Sequence, residues 1–473
     1  MLLARPLPRR RFLAGSLGAA LASRISPLFA AETGKPPFPP GFTWGASTSA
    51  YQIEGAFMED GRGLSIWDSY AHTPGKIADG STGDVACDHY HRFREDVDWI
   101  AKGGFGAYRF SIAWPRLFPD GGGPLNPKGL EFYDRLIDTL LAKKIEPWIC
   151  LYHWDLPQAL QDHGGWLERG TAHYFADYAR AAGRKLGDRV RHWAMFNEPN
   201  IHAIFGHTVD GHAPGLTGWQ HFAPVVHHQG LAAGLGIQAL RAERAGLKLG
   251  TVMSLQPVHP CTESEADRNA ATRFDAVWNR ACLDPLMKGA VPDVLAKDFA
   301  PVIRDGDLKT IHQPIDFLGI NYYSRLHVRD DPNSALLGAG FGPITSVSQF
   351  TAMGWPIEPD GLYEELMNFK TGYGNPVLYV TENGAAFDDK PSADGRIDDQ
   401  DRIAFLKSHI DAAARAVRDG VDLRGYFVWS LMDNFEWAEG FKRRFGLLHV
   451  DYKTQRRSPK ASFDWLAQQI RRG

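Results

Sequence analysis

The chain has 473 residues, of which 44% are hydrophobic and 23% charged, and its formal net charge is -3. This composition is typical of a globular protein, and the length suits one large domain or several smaller ones. The near-zero charge gives no support for a nucleic-acid-binding protein.

Residues 1–31 predict an export signal. The basic segment Arg9-Arg10-Arg11-Phe12-Leu13 is followed by a weakly apolar stretch, Ala14 to Ala22, and by small residues at Ala30-Ala31. This order is typical of a signal peptide, and the apolar stretch is too short to span a membrane. The paired arginines resemble the twin-arginine export signal. We therefore expect export to the periplasm or beyond, with no membrane association of the remaining catalytic domain, residues 32–473.

Eight strand-like apolar runs recur along the rest of the chain. They are residues 42–46, 107–112, 147–152, 193–196, 248–253, 317–321, 377–380 and 426–429. Apolar residues with a helical period lie between them, as in residues 129–143, 171–186 and 401–418. This alternation predicts an α/β fold, a single closed (β/α)8 TIM barrel with its active site at the C-terminal ends of the strands. A doubly wound open sheet is the alternative, which the lack of a glycine-rich turn after the first run disfavours.

Polar and aromatic residues follow these runs. They include Gln52, Arg109, His153, Asn197, Glu198, Asn321, Tyr323, Glu382, Trp429, Glu436 and Trp437. Any one of them has an ordinary structural explanation, but a closed barrel would bring all of them to one rim. Two carboxylates, here Glu198 and Glu382, are the minimum needed to cleave a glycosidic bond. Some of the 14 tryptophans would then be platforms for sugar rings, and most would be core.

Seven motifs in order resemble glycoside hydrolase family 1, the β-glucosidase group, over residues 38–466. They are Phe42-Thr43-Trp44-Gly45-Ala46-Ser47-Thr48-Ser49-Ala50-Tyr51-Gln52-Ile53-Glu54-Gly55, Tyr108-Arg109-Phe110-Ser111-Ile112-Ala113-Trp114-Pro115-Arg116, Leu151-Tyr152-His153-Trp154-Asp155-Leu156-Pro157, Phe196-Asn197-Glu198-Pro199, Gly319-Ile320-Asn321-Tyr322-Tyr323, Thr381-Glu382-Asn383-Gly384 and Asp433-Asn434-Phe435-Glu436-Trp437. The resemblance implies a retaining β-glucosidase that acts on a small carbohydrate and needs no cofactor or metal.

The resemblance also implies the roles of the two carboxylates. Glu198 would be the general acid/base and Glu382 the nucleophile, with Arg109 and Tyr323 beside Glu382 to keep it ionised. A retaining enzyme holds its carboxyl groups roughly 5–5.5 Å apart, and an inverting enzyme roughly 6.5–9.5 Å apart.

The other rim residues would hold the non-reducing sugar. Asn197 would bind the sugar 2-hydroxyl, and the sugar ring would stack on the indole ring of Trp429. The remaining substrate-binding candidates are Gln52, His153, Asn321, Tyr323, Glu436 and Trp437. Gln52 and Glu436 can each bind two adjacent hydroxyls. The carboxylate of Glu436 would repel a phosphate, which favours unphosphorylated sugars.

One position departs from the family pattern. Asn200 stands where many members have Trp, at a position expected to face the leaving group. We expect weaker binding of flat aryl groups there, with Trp355 as another candidate wall. The loop over residues 330–342 is expected near the entrance.

Three alternatives to a hydrolytic β-glucosidase stay open from the sequence. They are a non-catalytic sugar-binding barrel, an enzyme for another sugar such as a β-galactoside or β-fucoside, and a transglycosylase. A metal-dependent hydrolase is disfavoured because the 18 histidines show no HExxH spacing. A disulfide between Cys261 and Cys282 also stays open for an exported protein.

Overall fold

The computed structural model describes residues 38–472, so the predicted export signal lies outside the described residues. The strands in chain order are β1 Thr43–Ser47, β2 Ala107–Ser111, β3 Glu146–Tyr152, β4 His192–Asn197, β5 Lys248–Ser254, β6 Val258–Pro260, β7 Phe317–Asn321, β8 Leu326–Asp330, β9 Ala339–Phe341, β10 Leu378–Asn383, β11 Leu423–Trp429, β12 Leu448–Asp451 and β13 Arg456–Pro459.

Helices fill most of the segments between these strands. They are α1 Ala50–Ile53, α2 Ile66–Ala71, α3 His89–Gly103, α4 Trp114–Leu117, α5 Pro127–Ala142, α6 Gln158–Gln161, α7 Gly170–Leu186, α8 Pro199–Ala203, α9 Phe222–Glu243, α10 Glu265–Asp275, α11 Ala281–Lys288, α12 Ala296–Phe299, α13 Asp307–Ile311, α14 Pro359–Gly372, α15 Gln400–Arg418 and α16 Ala461–Arg472. The three helices predicted from periodicity correspond to α5, α7 and α15. In residues 38–472, no helix is both long enough and apolar enough to cross a membrane.

Eight parallel strands close into a barrel in the order β1-β11-β10-β7-β5-β4-β3-β2. Each predicted apolar run corresponds to one of these strands, so the predicted (β/α)8 barrel is confirmed. The other strands form two small sheets outside the barrel, β6-β8-β9 and β12-β13. The loop predicted near the entrance is mostly the β8–β9 hairpin.

The barrel interior is filled with side chains, as in other barrels of this size. Eight interior residues pack against one another: Ala107, Trp148, Cys150, Ala194, Val252, Phe317, Tyr379 and Phe427. Gly45 of β1 makes room for the Phe427 ring, since a Cβ atom at Gly45 would lie 2.2 Å from it. This layer closes the barrel below the strand ends and gives them a rigid base.

Two of the strands change register shortly before they end. β10 slips against β7 between Val380 and Glu382, and β4 slips against β5 between Ala194 and Asn197. Side chains alternate along a strand, so with Ala194 inside, Asn197 would otherwise face outward. A bulge shifts this alternation by one residue. The irregularities therefore turn Asn197 and Glu382 towards the barrel axis.

All four cysteines are unpaired thiols, and Cys150 of β3 is buried in the barrel interior. The Cys261–Cys282 disulfide left open by the sequence is not formed in the structure.

Candidate active site

The C-terminal end of the barrel gathers the candidate residues. Asn197, Asn321 and Trp429 are the last residues of β4, β7 and β11, Glu382 is the last but one of β10, and Arg109 is the middle residue of β2. Their side chains are almost completely buried, as is that of Glu198 directly after β4. The strand ends thus place these side chains at one rim.

Glu382 has a strong donor on each carboxylate oxygen. Nη1 of Arg109 donates to Oε1 at 2.7 Å, and the Tyr323 hydroxyl donates to Oε2 at 2.7 Å. Both contacts expected from the sequence are therefore present. Burial raises the pKa of Glu382 above its usual range, and Arg109 and Tyr323 act in the opposite direction. Arg109 thus favours the ionised form of Glu382 without overcoming the effect of burial.

Glu198 has a different environment. Its backbone is left-handed, with φ of 46°, and its N–H donates to the Val252 carbonyl at 2.8 Å. Nδ2 of Asn321 donates to Oε1 of Glu198 at 2.9 Å. Burial, and next the negative charge of Glu382, raise the pKa of Glu198 to about 8. Glu198 can therefore hold a proton at neutral pH.

Asn197 connects the surroundings of the two carboxylates. Its Oδ1 accepts from Nη2 of Arg109 at 2.6 Å and from Nδ2 of Asn321 at 3.0 Å. These donors fix the orientation of the Asn197 amide, so its Nδ2 faces Nε2 of His153, 3.0 Å away. Nε2 of His153 is then the acceptor of a neutral ring. Burial, reinforced by Arg109, lowers the pKa of His153, in agreement with this assignment.

Gln52 is held on both sides of its amide. Ser49 donates its hydroxyl to Oε1 of Gln52 at 2.6 Å. Nε2 of Gln52 donates to Oδ1 of Asn434 at 3.0 Å and to the Phe435 carbonyl at 2.9 Å. Both N–H groups are thus in use, and Oε1 retains one lone pair. Gln52 therefore offers a ligand one acceptor position, rather than the two hydroxyl positions expected from the sequence.

Glu436 is partly exposed at the rim, next to Gln52, with 3.5 Å between Oε2 of Glu436 and Nε2 of Gln52. Desolvation, and next the negative charge of Glu382, raise the pKa of Glu436 to about 8. The segment that carries Glu436 is anchored by Asp433, which is bound by Arg444 and Lys460 at 2.6 Å each. This anchor fixes the loop on which Glu436 and Trp437 are carried.

Aromatic rings line the same rim. Trp429 lies nearly parallel to the His153 ring, with 5.9 Å between ring centroids. Trp437 packs on Trp154, with 4.6 Å between ring centroids. The backbone of Trp437 is left-handed, with φ of 49°. Trp355 packs against Tyr323, the residue that donates to Glu382, with 5.3 Å between ring centroids. The rings thus lie where the sequence predicted aromatic residues, and their contact with a sugar stays a prediction.

Asn200 does not face the entrance as expected. Its side chain is fully buried, and Nδ2 donates to the backbone carbonyls of Ser254 and Trp278 at 2.8 Å each. Asn200 therefore ties the turn after Glu198 to β5 and to the segment that carries Trp278. The expectation that this position faces the leaving group is corrected for this chain.

Sequence reasoning missed three residues that hold site residues in place: Ser49, Thr381 and Asn434. Ser49 and Asn434 hold Gln52, and the Thr381 hydroxyl donates to Oδ1 of Asn321 at 2.8 Å. All three lie inside the family motifs, which was the only signal available. Across residues 38–472, no group of three or more His, Cys, Asp or Glu side chains is arranged to hold a metal ion.

Residues 35–473 match the family model described as glycosyl hydrolase family 1. The chain belongs to glycosyl hydrolase family 1. As a family 1 member it is a glycoside hydrolase, and the rim described above is its active-site region.

Family 1 relatives cover nearly the whole chain. A 1,4-beta-D-glucan glucohydrolase of Thermotoga neapolitana is 47% identical over 439 residues, 92% of this chain and 98% of the relative. The thermostable beta-glucosidase B of Thermobispora bispora is 50% identical over 442 residues, 92% of this chain and 91% of the relative. The solved structure of a Thermotoga maritima beta-glucosidase in complex with deoxynojirimycin matches with a TM-score of 0.88 at 45% identity, covering 92% of this chain and 98% of that one.

Proposed function

We propose that the protein is an exported, retaining β-glucosidase. It removes terminal non-reducing β-D-glucosyl residues from unphosphorylated β-glucosides or oligosaccharides. The observation that carries this proposal is the network around Arg109, which donates to Glu382 and to Asn197, the residue next to Glu198. Two buried carboxyls of different environment at one rim are the equipment that glycosidic cleavage requires.

The two carboxyls differ in what stabilises their charge. Glu382 is paired with a guanidinium and a phenol, whereas the side-chain donors to Glu198 are neutral, namely the Asn321 amide and the Ser254 hydroxyl. A cation favours the ionised form more than an amide does, so a proton shared by the pair resides on Glu198. This assigns the acid role to Glu198 and the nucleophile role to Glu382.

The reaction then follows in two displacements. The Glu382 carboxylate attacks the anomeric carbon, the bond to the leaving oxygen breaks, and that oxygen takes the Glu198 proton. In the second step Glu198, now ionised, takes a proton from water while the water oxygen displaces Glu382 from the anomeric carbon. Free glucose leaves, and both carboxyls return to their starting state.

The substrate class is supported by the relatives and by the rim. The names of the relatives refer to β-glucosides and 1,4-β-glucan, and deoxynojirimycin is a sugar-like ligand of the Thermotoga maritima enzyme. Glu436, together with Glu382 and Glu198, makes the rim rich in carboxyl groups. Taking a sugar phosphate into this buried rim would cost desolvation free energy, and the ionised Glu382 would repel it. We expect 4-nitrophenyl β-glucoside to be hydrolysed faster than its 6-phosphate, and the reverse order would contradict this substrate class.

The mechanism is tested with 4-nitrophenyl β-glucoside, the wild type and Glu382→Gly with added azide. Loss of activity in the variant, with α-glucosyl azide formed on rescue, is the expected result for a nucleophilic Glu382 and retention. Formation of β-glucosyl azide or unreduced activity would overturn the assignment. Glu263→Gly is the control: the Glu263 side chain is 96% exposed, and we expect the variant to keep wild-type activity. A wild type inert on several β-glycosides would favour the binding-protein alternative.

Export is tested separately in a bacterium with a twin-arginine pathway. The full chain and the variant Arg9→Lys/Arg10→Lys are expressed, and β-glucosidase activity is measured in periplasm and cytoplasm. We expect the wild type in the periplasm, shortened by about the length of a signal peptide, and the variant retained inside. Equal cytoplasmic retention of both would contradict export.

A further inference from the structure

The hydroxyl of Thr381, the residue before Glu382, is hydrogen-bonded to the side chain of Asn321. It donates to Oδ1 of Asn321 at 2.8 Å, and both residues are fully buried. The two N–H groups of the same amide donate to Oδ1 of Asn197 and to Oε1 of Glu198. Every hydrogen-bonding atom of the Asn321 amide therefore has a partner.

The amide can face only one way in this network. If it were turned over, its oxygen would approach two other acceptor oxygens, those of Asn197 and Glu198. Those two acceptors set which way the amide faces, and the Thr381 hydroxyl holds it from the opposite side. Without the Thr381 hydroxyl, the buried oxygen of the Asn321 amide would have no hydrogen-bond donor. Because an unsatisfied buried acceptor is costly, we expect the amide to move towards another donor.

We propose that Thr381 is a positioning residue for acid catalysis: through the Asn321 amide, its hydroxyl holds the Glu198 carboxyl in the orientation needed to protonate the leaving group. This inference rests on the proposed role of Glu198. These hydrogen bonds link β10, the strand that carries the nucleophile, through Asn321 of β7 to Glu198, which follows β4. A single hydroxyl thereby sets the relative placement of two catalytic groups from different strands.

The test distinguishes a specific loss of acid catalysis from a general disturbance of the active-site structure. Protonation of the leaving oxygen is essential for poor leaving groups and nearly irrelevant for very acidic phenols. We therefore expect Thr381→Val to lose roughly tenfold in kcat/KM on cellobiose and phenyl β-glucoside, and less than about twofold on 2,4-dinitrophenyl β-glucoside. Thr381→Ser should restore the wild-type pattern, and Thr381→Ala serves if the valine variant does not fold.

A double variant tests whether Thr381 acts through Asn321. If it does, Thr381→Val combined with Asn321→Ala should lose no more on cellobiose than Asn321→Ala alone. Ser47→Ala is the matched control, because the Ser47 hydroxyl donates at 2.8 Å to the main-chain carbonyl of Thr381 and not to the amide network. It should leave the leaving-group dependence unchanged.

Two results would overturn the inference. Equal losses on all substrates would mean a structural role or an effect on Glu382, whose pKa Asn321 also helps to lower. Additive losses in the double variant would mean that Thr381 acts independently of Asn321. Glu198→Ala is measured in the same series: if it shows no leaving-group dependence, the proposed role of Glu198 fails, whereas a failure of Thr381→Val alone removes only this inference.

Discussion

The Arg109 guanidinium lies 2.7 Å from the Glu382 carboxylate, and the two side chains are 2% and 4% exposed. An ion pair this deeply buried is sustained only by further hydrogen bonds, which Tyr323 and Asn197 supply. Removal of one partner would leave the other charge buried and unpaired.

Arg109→Leu should therefore impair both catalysis and stability. We expect kcat/KM to fall by roughly 100-fold or more, and the acidic limb of its pH profile to move to higher pH because the pKa of Glu382 rises. Arg169→Leu is the control, since it breaks a partly buried ion pair, with Asp307, whose other hydrogen-bond partners are His227 and Arg304 and not site residues. That variant should lower Tm without moving the pH profile, and an unmoved profile for Arg109→Leu would contradict the tuning role.

Formation of the glycosyl ester should lower the pKa of Glu198. The negative charge of Glu382 is the second largest cause of the raised pKa of Glu198, and the ester removes that charge. A 2-deoxy-2-fluoro-glucoside can trap the ester, and 13C NMR of labelled glutamate carboxyls can follow the titration. An unchanged pKa of Glu198 in the trapped enzyme would mean that burial alone determines it.

Glu436→Gln should stabilise the protein at alkaline pH while weakening glucoside binding. The pKa of Glu436 is raised to about 8 in the folded state, against about 4.3 when unfolded, so ionisation of Glu436 destabilises the fold as pH rises between these values. Because Glu436 is partly exposed, we expect a gain of only about 1 kcal/mol at pH 9 and less at pH 5. Thermal unfolding at both values, with the exposed Glu263→Gln as control, measures this difference.

Gly384→Ala should destabilise the barrel and reduce activity. A Cβ atom at Gly384 would lie 1.7 Å from the Trp429 carbonyl oxygen, so the ends of β10 and β11 would have to separate. We expect a loss of about 1–3 kcal/mol or more and lower kcat/KM, since Glu382 and Trp429 are displaced together. Gly372→Ala, at the end of α14 with nothing within 4 Å of the added Cβ, is the matched control and should be neutral or slightly stabilising. Equal Tm values for the two variants would contradict the packing argument.

Asn200→Ala should cost about 1–3 kcal/mol, because two buried carbonyls, those of Ser254 and Trp278, lose their shared donor. Asn200→Trp should be destabilising as well, because the fully buried site leaves no space for an indole. Tm and KM for phenyl β-glucoside measure both effects. A stable tryptophan variant with a lower KM would mean that the position can form an aglycone wall after all.

The barrel could be predicted from the eight apolar runs, because buried parallel strands are marked by continuous apolar runs. The predicted ends of the strands were less accurate. β10 continues to Asn383 and so contains Glu382, whereas the sequence predicted that this strand ends at Val380. A bulge leaves no mark in the apolar pattern, since it depends on pairing with a neighbouring strand.

The candidate residues were predictable from motifs, but their hydrogen-bond partners were not. Gln52 was expected to offer two hydroxyl positions, yet Ser49, Asn434 and Phe435 already use most of its capacity. Asn200 was interpreted from a family position, while its burial depends on Ser254 and Trp278, which are distant in sequence. Contacts of this kind follow from tertiary packing and not from local sequence.

The slips in β4 and β10 make backbone length part of the catalytic apparatus. One extra residue inserted between Ala194 and Asn197, or between Val380 and Glu382, would shift the alternation once more and turn the following side chain out of the barrel. Such an insertion would keep every catalytic side chain, yet place a carboxylate or its partner in the hydrophobic layer beneath the helices. Single-residue insertions at these two points would therefore disable the enzyme by a route that no single substitution reproduces.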